Sequence, residues 1–316
     1  MGGMQPVARK IEPWRLRKRA LELGRRTVIM GVVNITPDSF SDGGLFLSPE
    51  AAVTQALRLL DEGADLVDLG AESTRPGSQV SSRAGKAKDS APAPAVSAEE
   101  EQARLLPVLE GVLAARSDAI VSADTYKAAT AQAALKAGAE IVNDVSGFMW
   151  DAEMARVCAQ FNPGVVLMHT RGRPEQWRTQ PQLPGDELLA MVRAGLHASM
   201  ALALGAGIPS EKIVLDPGYG FGKRFNENHS LLARQAELLS LGRPLLAGLS
   251  RKSFLGHTLA GLHGGAQAPV AARETASIAA MVAAILNGAS IVRVHSVRPA
   301  VEAALIADAI LAAQPR

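Results

Sequence analysis

The chain has 316 residues and a formal net charge of +2, and 47% of it is hydrophobic although only 4% is aromatic. That is enough apolar material for a sizeable core filled by Ala, Leu and Val, in one large domain or two ordinary ones, and the near-balance of charge excludes a broad electrostatic case for nucleic acid or a membrane surface as partner. A single cysteine, Cys158, excludes an intrachain disulfide and points to a reducing compartment, and no apolar run approaches the roughly 20 residues of a membrane span.

The basic stretch Arg9-Lys-Ile-Glu-Pro-Trp-Arg-Leu-Arg-Lys-Arg19 has neither the apolar segment nor the cleavage pattern of a secretion signal. It reads as a solvated N-terminal extension, over residues 1–26, of a cytoplasmic protein. Residues 28–33 are the first strand. The run that follows, Asn34-Ile-Thr-Pro-Asp-Ser-Phe-Ser-Asp-Gly-Gly44, is too polar for core and too rich in glycine for helix, so it reads as a loop carrying several ligand groups. Ser48 and Pro49 suit the N-cap and first turn of a helix with Val53, Leu57 and Leu60 on one face.

Residues 65–69 form a second buried strand, delivering Glu72-Ser-Thr-Arg-Pro-Gly77. Residues 78–98 then have no apolar period and a Pro-Ala-Pro-Ala character, which predicts a flexible insert. Ser97 and Glu100 suggest a capping box ahead of Leu105, Leu106 and Leu109. Further strands are predicted at 119–123, 139–142, 164–168, 212–215, 244–248 and 290–293. The helices between and after them are expected at 126–136, from Asp151, and at 186–204, 230–239, 273–286 and 299–311.

Eight short apolar strands, each followed by a helix, predict an α/β fold of the (β/α)8 TIM-barrel type over residues 27–316, with parallel strands buried on both faces. An open doubly wound sheet would show fewer units and a glycine-rich dinucleotide turn after strand one, which is missing after Val33. In a barrel the C-terminal strand ends form the active face. In chain order those ends carry Asn34, the Glu72–Gly77 loop, Asp124, Asn143-Asp-Val-Ser-Gly147, Met168-His169, Asp216-Pro-Gly-Tyr-Gly-Phe-Gly-Lys223, Ser250-Arg-Lys-Ser253, and Arg293 with His295.

Each has a plainer reading. Asp124 suits a helix N-cap, lone histidines are more often structural than ligating, and Asp216-Pro-Gly is ordinary turn chemistry. Their common location weighs against eight separate plain readings. Arg75, Lys252, Arg293 and His295 together suit an anion such as phosphate. Asp124 and Asp216 suit a ligand with adjacent N–H donors. Asn34 offers a hard oxygen of the kind Mg2+ takes when a diphosphate supplies the others. No Cys/His cluster suits zinc, and neither a G-x-S-x-G elbow nor a Walker A sequence occurs.

These motifs, in this order, closely resemble those of the dihydropteroate synthases, from about Thr27 onward. The resemblance implies a (β/α)8 barrel, usually a homodimer and a sulfonamide target. It implies a transferase in folate biosynthesis that joins 6-hydroxymethyl-7,8-dihydropterin diphosphate to p-aminobenzoate with Mg2+. It assigns pterin binding to Asp124, Asn143, Met168, Asp216 and Lys252. Diphosphate binding falls to Asn34, Thr74, Arg75, Arg293 and His295, with the metal at Asn34. The p-aminobenzoate pocket falls to Phe40, Thr74, Pro76, Phe221 and Ser253. Asp42, Arg75 and Lys252 become the catalytic residues. The insert at 78–98 departs from the family pattern.

Three rivals remain at this level. A methyltetrahydrofolate methyltransferase-like barrel would share Asp124 and Asn143 but need no diphosphate site. A silent pterin-binding paralogue would have lost loop residues that are intact here. A sugar-phosphate aldolase would place a Schiff-base lysine within a strand, and Lys252 lies just beyond one.

Overall fold

Eight parallel strands close on themselves, and nearly every strand residue is buried because helices cover the outside while side chains fill the inside. The computed structural model describes residues 6–35, 48–72 and 96–313. In chain order the elements are β1 (Glu12–Arg15), β2 (Ala20–Leu23), β3 (Val28–Asn34), α1 (Pro49–Asp61), β4 (Leu66–Gly70), α2 (Ala98–Ala115), β5 (Val121–Asp124), α3 (Ala128–Ala137), β6 (Ile141–Asp144) and α4 (Met154–Phe161). There follow β7 (Gly164–Met168), α5 (Gly185–Gly205), β8 (Ile213–Asp216), α6 (Phe225–Ala233), β9 (Leu245–Ala247), α7 (Ser253–Thr258), α8 (Glu274–Leu286), β10 (Ala289–Val294) and α9 (Val297–Ala312). Strands β3 to β10 form the barrel, with β10 returning to pair with β3. This is the (β/α)8 barrel expected from the alternation of elements.

Two cores result. One lies between strands and helices; it is built mainly of Ala, Leu and Val from both layers and includes Leu59, Leu109, Val192 and Ala284. The other fills the barrel below the mouth with Val28, Met30, Leu66, Ile120, Ile141, Val166, Val214, Leu246 and Ile291.

Trp14, Leu16 and Leu23 belong to that inner core, which corrects the expectation of a solvated extension. Strands β1 and β2 form an antiparallel hairpin whose apolar residues plug the N-terminal end of the barrel. Trp14 Nε1 donates to the Lys212 carbonyl at 2.8 Å, and Lys212 Nζ donates to the carbonyls of Leu16 and Asn162, each at 2.8 Å. Gly164 makes room for the plug, since a Cβ there would sit 2.7 Å from Leu16 Cδ2.

The helices differ from expectation in detail. Ser48 and Ser97 do cap α1 and α2, accepting from Ala51 N and Glu100 N, but Glu100 pairs with Arg104 rather than completing a capping box. Helix α3 starts at Ala128 rather than 126, and its first N–H is taken by Asp151. Helix α6 begins at Phe225, before the expected 230, because Glu227 accepts from the Arg224 N–H; a 3-10 turn continues over Gln235–Leu241. Helix α7 was not anticipated. Helix α5 is long and apolar enough to cross a membrane by length and composition alone. Its Leu188, Leu189, Val192, Leu196 and Ala203 are buried in the core that surrounds the barrel.

Candidate active site at the barrel mouth

Strand register places the polar groups in rows. Asn34 pairs with Gly70, Gly70 with Asp124, and Asp124 with Asn143, so three side chains and a gap sit side by side along one rim. Gly70 supplies the gap: a Cβ there would meet Asp124 Oδ2 at 3.4 Å. Opposite, Met168 pairs with Asp216. Two residues below Gly70, on the same face by the alternation of a strand, is Asp68.

Asp68 is the residue that the sequence reading missed. It is fully buried, and its Oδ2 accepts from Asn143 Nδ2 at 3.0 Å and from Arg293 Nε at 2.6 Å. Nη2 of the same guanidinium donates to Asp124 Oδ2, also at 2.6 Å. One guanidinium therefore ties β10 to β4 and β5, which suits the fork geometry of arginine. Burial works against the charge of Arg293, but the carboxylates of Asp68 and Asp124 outweigh it and hold the group firmly protonated. Asp124 accordingly belongs to the mouth and not to the start of α3.

Burial governs the other ionisable groups as well. Desolvation pushes Asp124 up to about 7, against the opposing pull of Arg293. It pushes Asp216 up to about 6, where the Gly218 N–H, at 2.7 Å from Oδ1, and Lys252 act in the opposite direction. Lys252 is brought down to about 7 by burial and then by the charge of Arg293, with Asp216 and Asp124 resisting. A cation and two carboxylates thus share a poorly solvated space in which a polar ligand's N–H groups can replace water.

An apolar wall adjoins them. Met168 packs with Tyr126 and Val145, with Trp150 and Phe221 against the cluster. Phe221 stands edge-on to Trp177 at 5.2 Å, and Lys252 Nζ lies 3.9 Å from the Phe221 ring centre. Buried Lys223 fixes the Phe221 loop by donating to the carbonyls of His169, Gly218 and Phe221 at 3.1, 2.8 and 3.3 Å. His295 Nδ1 lies 3.0 Å from Ser250 Oγ, and the exposed Ser253 opens α7. His169 is buried and its proton affinity is strongly depressed by burial, which keeps it a neutral structural group. Asp144 is structural too: it accepts from the Ser146 N–H and hydroxyl, each at 2.7 Å, and from the Phe148 N–H at 2.9 Å, and so fixes the turn after β6.

The structure thus gathers Asn34, Asp124, Asn143, Met168, Asp216, Phe221, Lys252, Ser253, Arg293 and His295 at the C-terminal strand ends. Phe40, Asp42, Thr74, Arg75 and Pro76 lie outside the described residues, as does most of the insert at 78–98.

The family model described as "Pterin binding enzyme" matches residues 30–295, which span the barrel and every group just described. The chain belongs to the pterin binding enzyme family. A dihydropteroate synthase of Clostridium beijerinckii is 37% identical over 94% of this chain and 99% of its own length. The mitochondrial folate synthesis bifunctional protein of Pisum sativum is 38% identical over 92% of this chain, which spans only 55% of that longer relative. A solved dihydropteroate synthase of Xanthomonas albilineans, in a structure with 4-aminobenzoic acid, superposes with a TM-score of 0.81 at 38% identity, covering 97% of this chain and 100% of its own. The mouth offers the acceptors Asp124 and Asp216 beside an apolar wall that includes Met168 and Phe221.

Proposed function

We infer that this protein is a transferase that joins the methylene carbon of 6-hydroxymethyl-7,8-dihydropterin diphosphate to the amine of p-aminobenzoate. It releases diphosphate and forms 7,8-dihydropteroate, the reaction named for its full-length bacterial relatives. The observation that carries this reading is the mouth itself. Asp124, Asn143, Asp216 and Lys252 lie together at the mouth, an arrangement that would suit a flat polar heterocycle, and the cation Arg293 and His295 lie beside them. A methyltransferase-like barrel would have no use for that anion side.

An aniline nitrogen is neutral at pH 7 and needs no strong base before it attacks. Departure of diphosphate can therefore lead. The C–O bond breaks with its electron pair leaving on the diphosphate, and the electron-rich dihydropterin carries the positive charge left on the methylene. The amine lone pair then forms the C–N bond, and its surplus proton passes to solvent. Asp216, Asn143 and Asp124 orient the pterin by accepting its N–H groups, and Lys252 donates to ring heteroatoms. Arg75, Arg293 and His295 receive the diphosphate, and Asp42 stabilises the cationic methylene electrostatically. Phe40, Thr74, Pro76, Phe221 and Ser253 hold the p-aminobenzoate.

A single side-chain amide oxygen, at Asn34, fits Mg2+, which keeps water and phosphate oxygens as its other ligands. When bound there, Mg2+ would draw charge from the departing diphosphate. The exposed Leu305, Ile306 and Ile310 of α9 support a homodimer that covers them. The single cysteine supports residence in the cytoplasm.

The test is to mix dihydropterin diphosphate, p-aminobenzoate and Mg2+ with the protein and follow diphosphate. Release that requires p-aminobenzoate supports the reading; release without it indicates hydrolysis and sinks it. Asp42→Asn turning over like the wild type at saturating substrates would remove the role given to Asp42.

A further inference from the structure

Glu72 and Glu101, which flank the stretch that carries Thr74, Arg75 and the insert, meet on one buried ammonium. Glu72, immediately before the stretch, pairs with Lys127 Nζ and accepts from Tyr126 OH at 3.2 Å. Glu101, in the first turn of α2 four residues after Ser97, lies 3.2 Å from the same Nζ and accepts from Thr130 Oγ1 at 2.7 Å. The three charged side chains are 4%, 1% and 7% exposed for Glu72, Glu101 and Lys127, so this is not a surface ion pair. A second tie runs parallel, from Arg104 Nη1 of α2 to the Ala71 carbonyl at 3.2 Å.

A buried ion pair is a poor device for stability alone, because desolvation offsets the attraction and apolar residues would pack α2 on α3 as well. What apolar residues would not do is fix one point just beyond β4 and one on α2 against a single atom. We propose that Lys127 is a positioning residue. By holding Glu72 and Glu101 together it sets where the chain leaves β4 and where it enters α2, whatever the number of residues between them. The inference rests on the synthase reading for its kinetic consequence, and on geometry alone for the clamp.

The test uses the full chain and five variants: Lys127→Met, Lys127→Arg, Glu101→Gln, a deletion of residues 80–94, and Lys127→Met carrying that deletion. Steady-state kinetics with both substrates and Mg2+ is measured beside amide hydrogen exchange at 71–72 and 98–104. Lys127→Met is expected to raise KM for p-aminobenzoate about tenfold with a smaller fall in kcat, and to speed exchange at both stretches. Lys127→Arg restores most of the loss. The deletion alone leaves kinetics unchanged, but in the Lys127→Met background it recovers about threefold, because bringing Glu72 and Glu101 together across a shorter chain costs less entropy. Wild-type kinetics in Lys127→Met, or wild-type exchange at either stretch, overturns the proposal. If Lys127→Met does not fold, Glu101→Gln decides: faster exchange at 98–104 supports the clamp and unchanged exchange overturns it. A wild type that releases no diphosphate overturns the synthase reading, and the exchange data still decide the clamp.

Discussion

Arg293 Nη2 donates to Asp124 at 2.6 Å at the rim of the barrel while its Nε donates to Asp68, also at 2.6 Å, one row deeper. The same Asp68 oxygen accepts from Asn143. Asp68 therefore sets the orientation of two residues assigned to ligands without facing the rim itself. The arrangement is preorganised: four strands, β4, β5, β6 and β10, hold the donors and acceptors before any substrate arrives.

Asp68→Leu should remove that orientation and leave Arg293 and Asn143 short of an acceptor. The expected cost is about 3 kcal/mol of stability, as for other buried pairs broken on one side, and a fall in kcat/KM of about 100-fold. Chemical denaturation and diphosphate release measure the two. A stable variant with wild-type kcat/KM would show that Asp68 is a bystander.

The pH dependence of pterin binding follows from Asp216, Asp124 and Lys252. Asp216 titrates at about 6, above its ordinary 3.8, so it accepts ligand N–H groups fully only above that pH. Lys252 titrates at about 7, below its ordinary 10.5, so its ammonium donors fade above that pH. Asp124, pushed up to about 7, loses acceptor strength below that pH, so dihydropterin affinity should peak near 7 and fall by up to roughly tenfold per unit on either side. Stability runs differently. Between 3.8 and about 6 the folded chain holds more protons at Asp216 than the unfolded one, so this contribution falls as pH rises. Between about 7 and 10.5 the unfolded chain holds more at Lys252, so that contribution grows with pH. Titrations of ligand fluorescence from pH 5 to 9 test the first claim; a flat profile contradicts it.

The barrel was legible because continuous apolar runs alternate with helical periods, and the active face followed from the polar residue at each strand end. Asp68 was not legible, because it sits inside the apolar run that marked a buried strand, and its function depends on β10, far away in sequence. Its one signal was spacing: a carboxylate two residues before Gly70 shares its face. Asp124 had an alternative as a helix cap that only the third dimension removed, through Asp151 at the α3 N-terminus and Arg293 at the mouth. The hairpin at 12–23 did carry a strand signal, Trp14 and Leu16 alternating with Arg15 and Arg17, but the charges dominated its reading. Helix α7 is too short for any periodicity to show.

Trp14→Ala should separate stability from activity. Trp14 is 1% exposed in the plug at the N-terminal end of the barrel, opposite the mouth. Its loss opens a cavity and removes the bond to the Lys212 carbonyl, at an expected cost of about 3–5 kcal/mol. Folded enzyme at low temperature should keep KM for both substrates within about twofold of the wild type. A changed KM with unchanged stability would reverse the assignment of the two ends.

Lys223 offers the converse case, a buried charge that acts on the site through backbone. Its three carbonyl partners lie in the loops after β7 and β8. Those loops pass so closely that a Cβ on Gly218, whose φ is +69°, would lie 1.9 Å from the His169 oxygen. Lys223→Met takes one donor from each of three carbonyls, although Gly218 O keeps the Phe221 N–H and Phe221 O keeps the Arg171 N–H, and it frees Phe221 from its place against Lys252. KM for p-aminobenzoate should rise about tenfold while kcat changes less. Burial brings the Lys223 ammonium down to about 7, with Asp216 resisting. As pH rises through that value the wild type loses the charge, and a donor with it. The gap between wild type and variant should therefore be widest near pH 6 and narrow towards pH 9. KM profiles of both proteins across that range supply the check, and a gap independent of pH would mean that Lys223 acts by its bulk and not by its proton.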